Sequence, residues 1–202
     1  MSRRILIAGG YGAFGAHVAQ RLARLPGLEI IIAGRSAARA AAFADSLARS
    51  AKAKISQAIL DATKASAAEI KALGASVTIN ASGPFQLQYN YALALACIEA
   101  GCHYIDLADA RAFVAGIKAL DQAARESKIC VISGASSVSG VSSAVVRQFA
   151  GAFKRLDSVE IGISPGNSFD LGEATTASIL GQLGKPFSLR RNGQEDIAYG
   201  WQ

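Results

Sequence analysis

Histidine and cysteine are scarce in this sequence, and its 202 residues contain no apolar run near the ~18 that cross a bilayer; each shortage excludes a class of function. Two histidines and three scattered cysteines argue against a metal site. Cys97, Cys102 and Cys130 form neither an even disulfide set nor a Cys-x-x-Cys pair, so buried free thiols in a reducing, cytoplasmic setting are expected. Arg3 and Arg4 before an apolar stretch imitate a secretion signal, but that stretch breaks into glycines after five residues. No membrane partner is expected.

Also missing is a Lys/Arg run interleaved with aromatic residues, the usual phosphate track of a nucleic-acid binder. The formal net charge of +6 is instead concentrated. The first 54 residues hold nine Lys or Arg against two acidic residues, a net of +7, whereas the remainder is close to −1. This asymmetry fits a compact phosphorylated small molecule better than a polyanion. No tyrosine is followed four residues later by lysine, which excludes the short-chain reductase pair, and no Gly-Lys-Ser/Thr loop marks a nucleoside triphosphatase.

A hydrophobic content of 51% is enough to bury a full core. Strand-like runs at Ile5 to Ala8, Leu28 to Ala33, Ile55 to Leu60, Val77 to Ala81, His103 to Leu107 and Ile129 to Ser133 alternate with helical stretches. That alternation predicts an α/β fold with a Rossmann-type, doubly wound parallel sheet over residues 1–155. Phe14, Val18, Leu22 and Leu25 form the apolar face of the first helix, which ends at Pro26-Gly27. Ala37 to Leu47, a stretch opened by the capping box Ser66-Ala-Ala-Glu69, Tyr91 to Ala100, Phe113 to Glu126 and Val141 to Phe153 supply further helices. From Leu156 the pattern changes: a strand-like Val159 to Ile163, a Pro165-Gly166-Asn167 turn, a helix at Ala174 to Leu183 and a polar tail. Residues 156–202 are read as the start of a second α/β domain for substrate or dimerisation, cut short.

Directly after the first strand stands Gly9-Gly10-Tyr11-Gly12-Ala13-Phe14-Gly15, with G-x-G-x-x-G at Gly10, Gly12 and Gly15. Preceded by a strand and opening an amphipathic helix, the motif predicts a dinucleotide site. Gly10 is assigned the tight turn, Gly12 the close approach of pyrophosphate and Gly15 the packing of helix on strand. At the end of the second strand, where a carboxylate would take the ribose hydroxyls of NAD, the sequence reads Gly34-Arg35-Ser36. Arg35 offers a planar fork to a 2′-phosphate, Ser36 a hydroxyl or amide, and Arg39 a second cation one turn on, so NADP is expected over NAD. Asp61, at the end of the third strand, is a candidate for the adenine amino group or for capping the turn before Thr63.

Three later motifs narrow the reading: Asn80-Ala81-Ser82-Gly83-Pro84-Phe85, Gly101-Cys-His-Tyr-Ile-Asp-Leu-Ala108 and Gly134-Ala-Ser-Ser-Val138. Together with the glycine loop they resemble the saccharopine dehydrogenase-like family of NAD(P)-dependent oxidoreductases over roughly residues 3 to 190. The resemblance implies hydride transfer involving a secondary amine, imine or carbonyl of a small-molecule substrate. It also implies a turn at Asn80 to Pro84 along the cofactor's diphosphate and nicotinamide ribose, and a second domain that commonly dimerises. Ser139 departs from the pattern, since relatives often carry proline there.

The candidate proton handlers are His103 and Asp106, which fall on opposite faces of the fifth strand. A hydrogen-bonded packing role competes for His103, and turn capping for Asp106. His17 is read as structural, and Tyr89 and Tyr91 as helix-opening residues. A non-catalytic NADP-binding sensor stands as the alternative to an enzyme.

Overall fold

The computed structural model describes residues 3–88, 90–163, 172–191 and 193–200. Six parallel strands form one sheet: β1 (Arg3–Ala8), β2 (Leu28–Gly34), β3 (Lys54–Ile59), β4 (Val77–Asn80), β5 (His103–Asp106) and β6 (Val131–Ile132). Their order, β3-β2-β1-β4-β5-β6, reverses direction between β1 and β4. That reversal opens a crevice at the carboxyl edge, the place where such sheets hold ligands. Register aligns the edge: Ala33, Ala8, Asn80 and Asp106 stand in one row across β2, β1, β4 and β5.

Helices α1 (Ala13–Leu22), α2 (Ala37–Ala48), α3 (Ala67–Leu73) and α4 (Ala92–Ala100) cover the two faces. Alternation along β1 divides the core. Ile7 joins Ala19, Ile30, Ile32 and Ala44 beneath α1 and α2, while Leu6 and Ala8 join Ile31, Ile70, Leu93 and Cys97 beneath α3 and α4. The capping box forms as expected: Ser66 accepts from the Glu69 amide, and Glu69 accepts from the Ser66 amide and hydroxyl. These bonds hold the Glu69 carboxyl below its ordinary range.

Several sequence expectations are revised. The helix expected over Phe113 to Glu126 divides into α5 (Arg111–Gly116), a 3₁₀ turn (Ile117–Leu120) and α6 (Asp121–Glu126). The one expected from Val141 to Phe153 becomes a π-helical turn (Ser137–Val141), α7 (Ser142–Phe149) and a 3₁₀ turn (Ala150–Ala152). Cys97 and Cys102 are buried, but Cys130 is exposed. Val159 to Ile163 is not in a strand. Its alternating pattern has no ladder partner among the described residues, and Val159, Ile161 and Ile163 remain 52–59% exposed. The polar tail is a hairpin, β7 (Pro186–Arg191) with β8 (Gln194–Tyr199), preceded by α8 (Gly172–Gln182). Asn192-Gly193 between the two runs is the sequence signal for a hairpin. The Pro165-Gly166-Asn167 turn and Tyr89 lie outside the described residues.

An open groove of about 640 Å³ lies between α7 and the extended segment, lined by Val145, Phe149, Phe153, Val159, Ile161 and Ile163 among others. The N-terminal end of α8 sits against Ala13, and α8 contacts the 3₁₀ turn Phe85–Leu87. The C-terminal region thus reaches back to the carboxyl edge of the sheet. No described helix is long and apolar enough to cross a membrane.

Candidate functional site

The glycine loop leaves β1 under tight steric control. Gly9, not Gly10, takes the left-handed conformation at φ +74°, and a side chain there would meet the Ala81 carbonyl at 2.8 Å. The turn assigned to Gly10 therefore belongs to Gly9. Gly10 is required for a different reason, since its Cβ would lie 2.8 Å from the Ile7 carbonyl. A Cβ on Gly15 would land on the Gly9 carbonyl, so this glycine lets α1 approach the strand, as expected. Gly12 is the extended N-cap of α1, has no side-chain cap, and its amide donates to the Gly9 carbonyl at 2.9 Å. A side chain added there would meet only that carbonyl, at 3.2 Å, with open space beyond. Backbone can approach a phosphate at such a position. Ala13 is part-buried and Phe14 half-exposed on the first turn of α1.

At the end of β2, chemistry and geometry meet. Glu29, the only carboxylate of that strand, is at its amino end, where Arg4 Nη2 reaches it at 3.0 Å and Lys54 Nζ at 3.6 Å. The hydrogen bond from Arg4 leads the effects that hold the Glu29 carboxyl below its usual value. The carboxyl end of β2 instead presents exposed Arg35 and Arg39 with part-buried Ser36 between them. No carboxylate within 4 Å pairs with either arginine among the described residues.

Of the two donors expected of Ser36, the amide is already engaged. Its amide donates to the Tyr11 hydroxyl at 2.9 Å, and its Oγ accepts from the Arg39 amide as the N-cap of α2. Only the Ser36 hydroxyl proton remains for a ligand. Across the same turn, Asp61 Oδ1 accepts from the Thr63 amide and hydroxyl at 3.0 and 2.7 Å, the capping arrangement. These bonds are the largest cause of its lowered pKa, with a smaller contribution from the positive charge of Arg35.

The ends of β4, β5 and β6 form a polar cluster directed inward. Asn80 is 2% exposed: its Oδ1 accepts from the Ser82 amide and hydroxyl, and its Nδ2 donates to the Tyr104 hydroxyl at 3.0 Å. Its side chain is paired with its own loop and with β5, its carbonyl accepts from the Leu107 amide at 3.2 Å, and the Ala81 amide donates to the Ala8 carbonyl at 2.8 Å. The Ala81 carbonyl faces Gly9, so the two crevice loops touch. Ser82, Gly83 and Pro84 are part-buried, and Gln88 Nε2 donates to the Ser82 carbonyl at 3.1 Å. Burial of Tyr104, then the charge of Asp106, pushes its phenol far above the usual range.

The two candidate proton handlers occupy other roles. Asp106 is completely buried, and its Oδ1 accepts from the Ala108 amide, the Ser133 hydroxyl and the Gly134 amide at 2.9–3.0 Å. Oδ2 has no partner among the described residues. The carboxylate pins the β6 loop to the exit of β5, a capping role, and faces no solvent. Gly134 and Ser133, which sequence reasoning did not connect to it, complete this arrangement. His103 opens β5, three residues and ~10 Å from the carboxyl edge. Its Nδ1 accepts from the Cys130 amide at 2.9 Å, so its position is that of a packing histidine, remote from the crevice. His17 is exposed on α1, and the Tyr91 hydroxyl donates to the Phe113 carbonyl.

Residues 5–132 match the saccharopine dehydrogenase NADP binding domain family. No curated protein matches the sequence. Among solved structures, saccharopine dehydrogenase (L-Glu forming) from Saccharomyces cerevisiae is similar, with a TM-score of 0.58 at 16% identity, covering 74% of this chain and 31% of that one. The MalC reductase/Diels-Alderase from Malbranchea aurantiaca superposes with a TM-score of 0.52 at 12% identity over 65% of this chain and 72% of the other. A betaketoacyl-[ACP] reductase from Bacteroides thetaiotaomicron gives 0.50 at 15% identity, over 65% and 78%. At these identities the structural matches establish the fold, and this chain spans under a third of the saccharopine dehydrogenase it resembles.

Proposed function

The chain belongs to the saccharopine dehydrogenase NADP binding domain family, and from that premise we propose that it is the cofactor-holding part of an NADP-dependent oxidoreductase acting on a secondary amine, imine or related carbonyl. The observation that carries this reading is the turn after β2. Two exposed arginines and a serine hydroxyl occupy the place where an NAD site needs a carboxylate, while Glu29 is tied to Arg4 at the far end. Across the crevice, the N-terminus of α1, where Gly12 provides no side-chain cap, suits a pyrophosphate. The residues present therefore fit NADP.

Bound NADP supplies hydride chemistry, and the chain positions and shields it. In this reading, backbone at Gly10, Gly12, Ala13, Phe14 and Gly15 meets the pyrophosphate, while Arg35, Arg39 and the Ser36 hydroxyl meet the 2′-phosphate. The Ala81–Pro84 backbone borders the nicotinamide side. Asp106 acts as a positioning residue, holding the β6 loop through Ser133 and Gly134. Residues 156–202 begin the substrate or dimerisation domain, a reading supported by the unpartnered apolar side chains of α7 and the segment after it. Calorimetric titration tests the cofactor assignment: NADPH should bind more tightly than NADH at equal salt, and a preference for NADH would refute it.

A second reading, a non-catalytic NADP-binding sensor, is favoured by the burial of Asp106 and the remote position of His103, which remove both proposed proton handlers from the crevice. Screening the intact protein with NADPH against keto acids with amines, and with NADP against amino acids, separates the two. Turnover supports the enzyme, and binding without turnover supports the sensor.

A further inference from the structure

Tyr11 lies in the glycine loop, at a position that motif reasoning leaves open to any residue, yet its side chain reaches the other end of the cofactor site. Its hydroxyl accepts the Ser36 amide at 2.9 Å. Its ring packs on Gly34, where even a methyl group would lie 2.5 Å from ring atoms. The Arg39 guanidinium carbon stands 4.9 Å from the centre of the same ring. One aromatic side chain thus touches two of the three polar residues of the turn after β2, binding Ser36 and shelving Arg39, and abuts the glycine that precedes Arg35.

The hydroxyl has a further consequence. Having accepted from Ser36, it still carries one proton, and no described residue accepts it. A donor that is itself hydrogen-bonded to an amide is polarised toward an acceptor. The nearest chemistry suited to it is an anion held by Arg35 and Arg39. We infer that Tyr11 determines cofactor specificity: its hydroxyl relays the Ser36 amide to the 2′-phosphate of NADP, and its ring holds Arg39 over the same phosphate by cation–π stacking. This rests on the assignment of the 2′-phosphate to the turn after β2. NADH, lacking that phosphate, gains nothing from the hydroxyl.

Titration of the purified chain and of Tyr11→Phe, Arg39→Gln and Arg35→Ala with NADPH and NADH tests the inference. Tyr11→Phe keeps the ring and removes only the hydroxyl. Loss of one hydrogen bond to a charged group should weaken NADPH roughly 10-fold, with NADH affinity within about twofold of wild type. Arg39→Gln should weaken NADPH selectively and by less than Arg35→Ala. An equal loss of both cofactors in Tyr11→Phe, or no loss, overturns the role of Tyr11. If Arg35→Ala is NADPH-selective while Tyr11→Phe is not, the phosphate turn stands and this inference alone falls. If Arg35→Ala spares NADPH, the assignment of the turn falls with it.

Discussion

The two halves of the sheet treat polar residues in opposite ways. On the β1–β2–β3 side, Arg35 and Arg39 are exposed, and the hydroxyl protons of Tyr11 and Ser36 point to no described acceptor. On the β4–β5–β6 side, Asn80, Tyr104 and Asp106 are buried; Asn80 Nδ2 donates to the Tyr104 hydroxyl, and the Oδ1 atoms of Asn80 and Asp106 accept from neighbouring loops. Donors that remain in water are the ones able to exchange it for a ligand's contacts. The other half uses its polar groups to hold its own loops in place. A polar residue near the crevice is therefore not evidence of chemistry until its partners are known.

The strongest way to break this contrast is Gly12→Val. The branched side chain would crowd the Gly9 carbonyl and occupy the open approach, so binding of both cofactors should be lost; calorimetry that still detects NADPH would refute the loop assignment. Asp106→Ala comes next and acts on the buried half. It strips an acceptor from two amides and a hydroxyl, at a cost of ~3 kcal/mol or more in stability, roughly a 10 °C drop in Tm. The folded fraction at low temperature should retain its preference for NADPH. A variant of unchanged stability that has lost only turnover would restore Asp106 as a reacting group.

Arg35→Ala sharpens the exposed half. NADPH should weaken by about 10- to 100-fold while NADH changes little, with no loss of Tm. Equal loss for both would place Arg35 elsewhere than the 2′-phosphate. His103→Ala removes one acceptor from the Cys130 amide at an exposed site, with an expected cost below about 1 kcal/mol and no effect on cofactor affinity; a changed pH profile of activity would contradict this.

The smallest effect concerns the Arg4–Glu29 pair. The Glu29 carboxyl, lowered from its ordinary 4.5, contributes stability that is present above that value and lost as pH falls through the folded-state value. The Tm advantage of wild type over Glu29→Gln should therefore shrink below pH 4.5, where a constant gap would show that the pair is not coupled to folding. Exposure of Arg4 keeps this contribution small.

Much of this architecture was legible in the residues. The βαβ alternation, the Ser66–Glu69 box and the absence of a carboxylate at the end of β2 are local facts, and the six strands of the parallel sheet match their sequence patterns to within about two residues at each end. Val159 to Ile163 alternates without forming a strand, because alternation shows only that a segment could pair, whereas pairing depends on an available edge. Tyr11 and Ser36 stand 25 positions apart, and Asp106 and Gly134 stand 28 apart. No periodicity or spacing rule links such residues.

The sequence by itself determined the fold class, the glycine loop and the NADP binding domain family, because these depend on short-range patterns: glycine spacing, alternation and charge at a strand end. Only the tertiary structure decided which polar side chains remain available. Parallel pairing brought Ala33, Ala8, Asn80 and Asp106 into one row, and that placed Asp106 beneath the loops, His103 at the far end and Tyr11 against the arginine turn. The physical reason is that a hydrogen bond is satisfied by whichever partner the packed chain brings within 3 Å or so, and chain separation does not enter that choice.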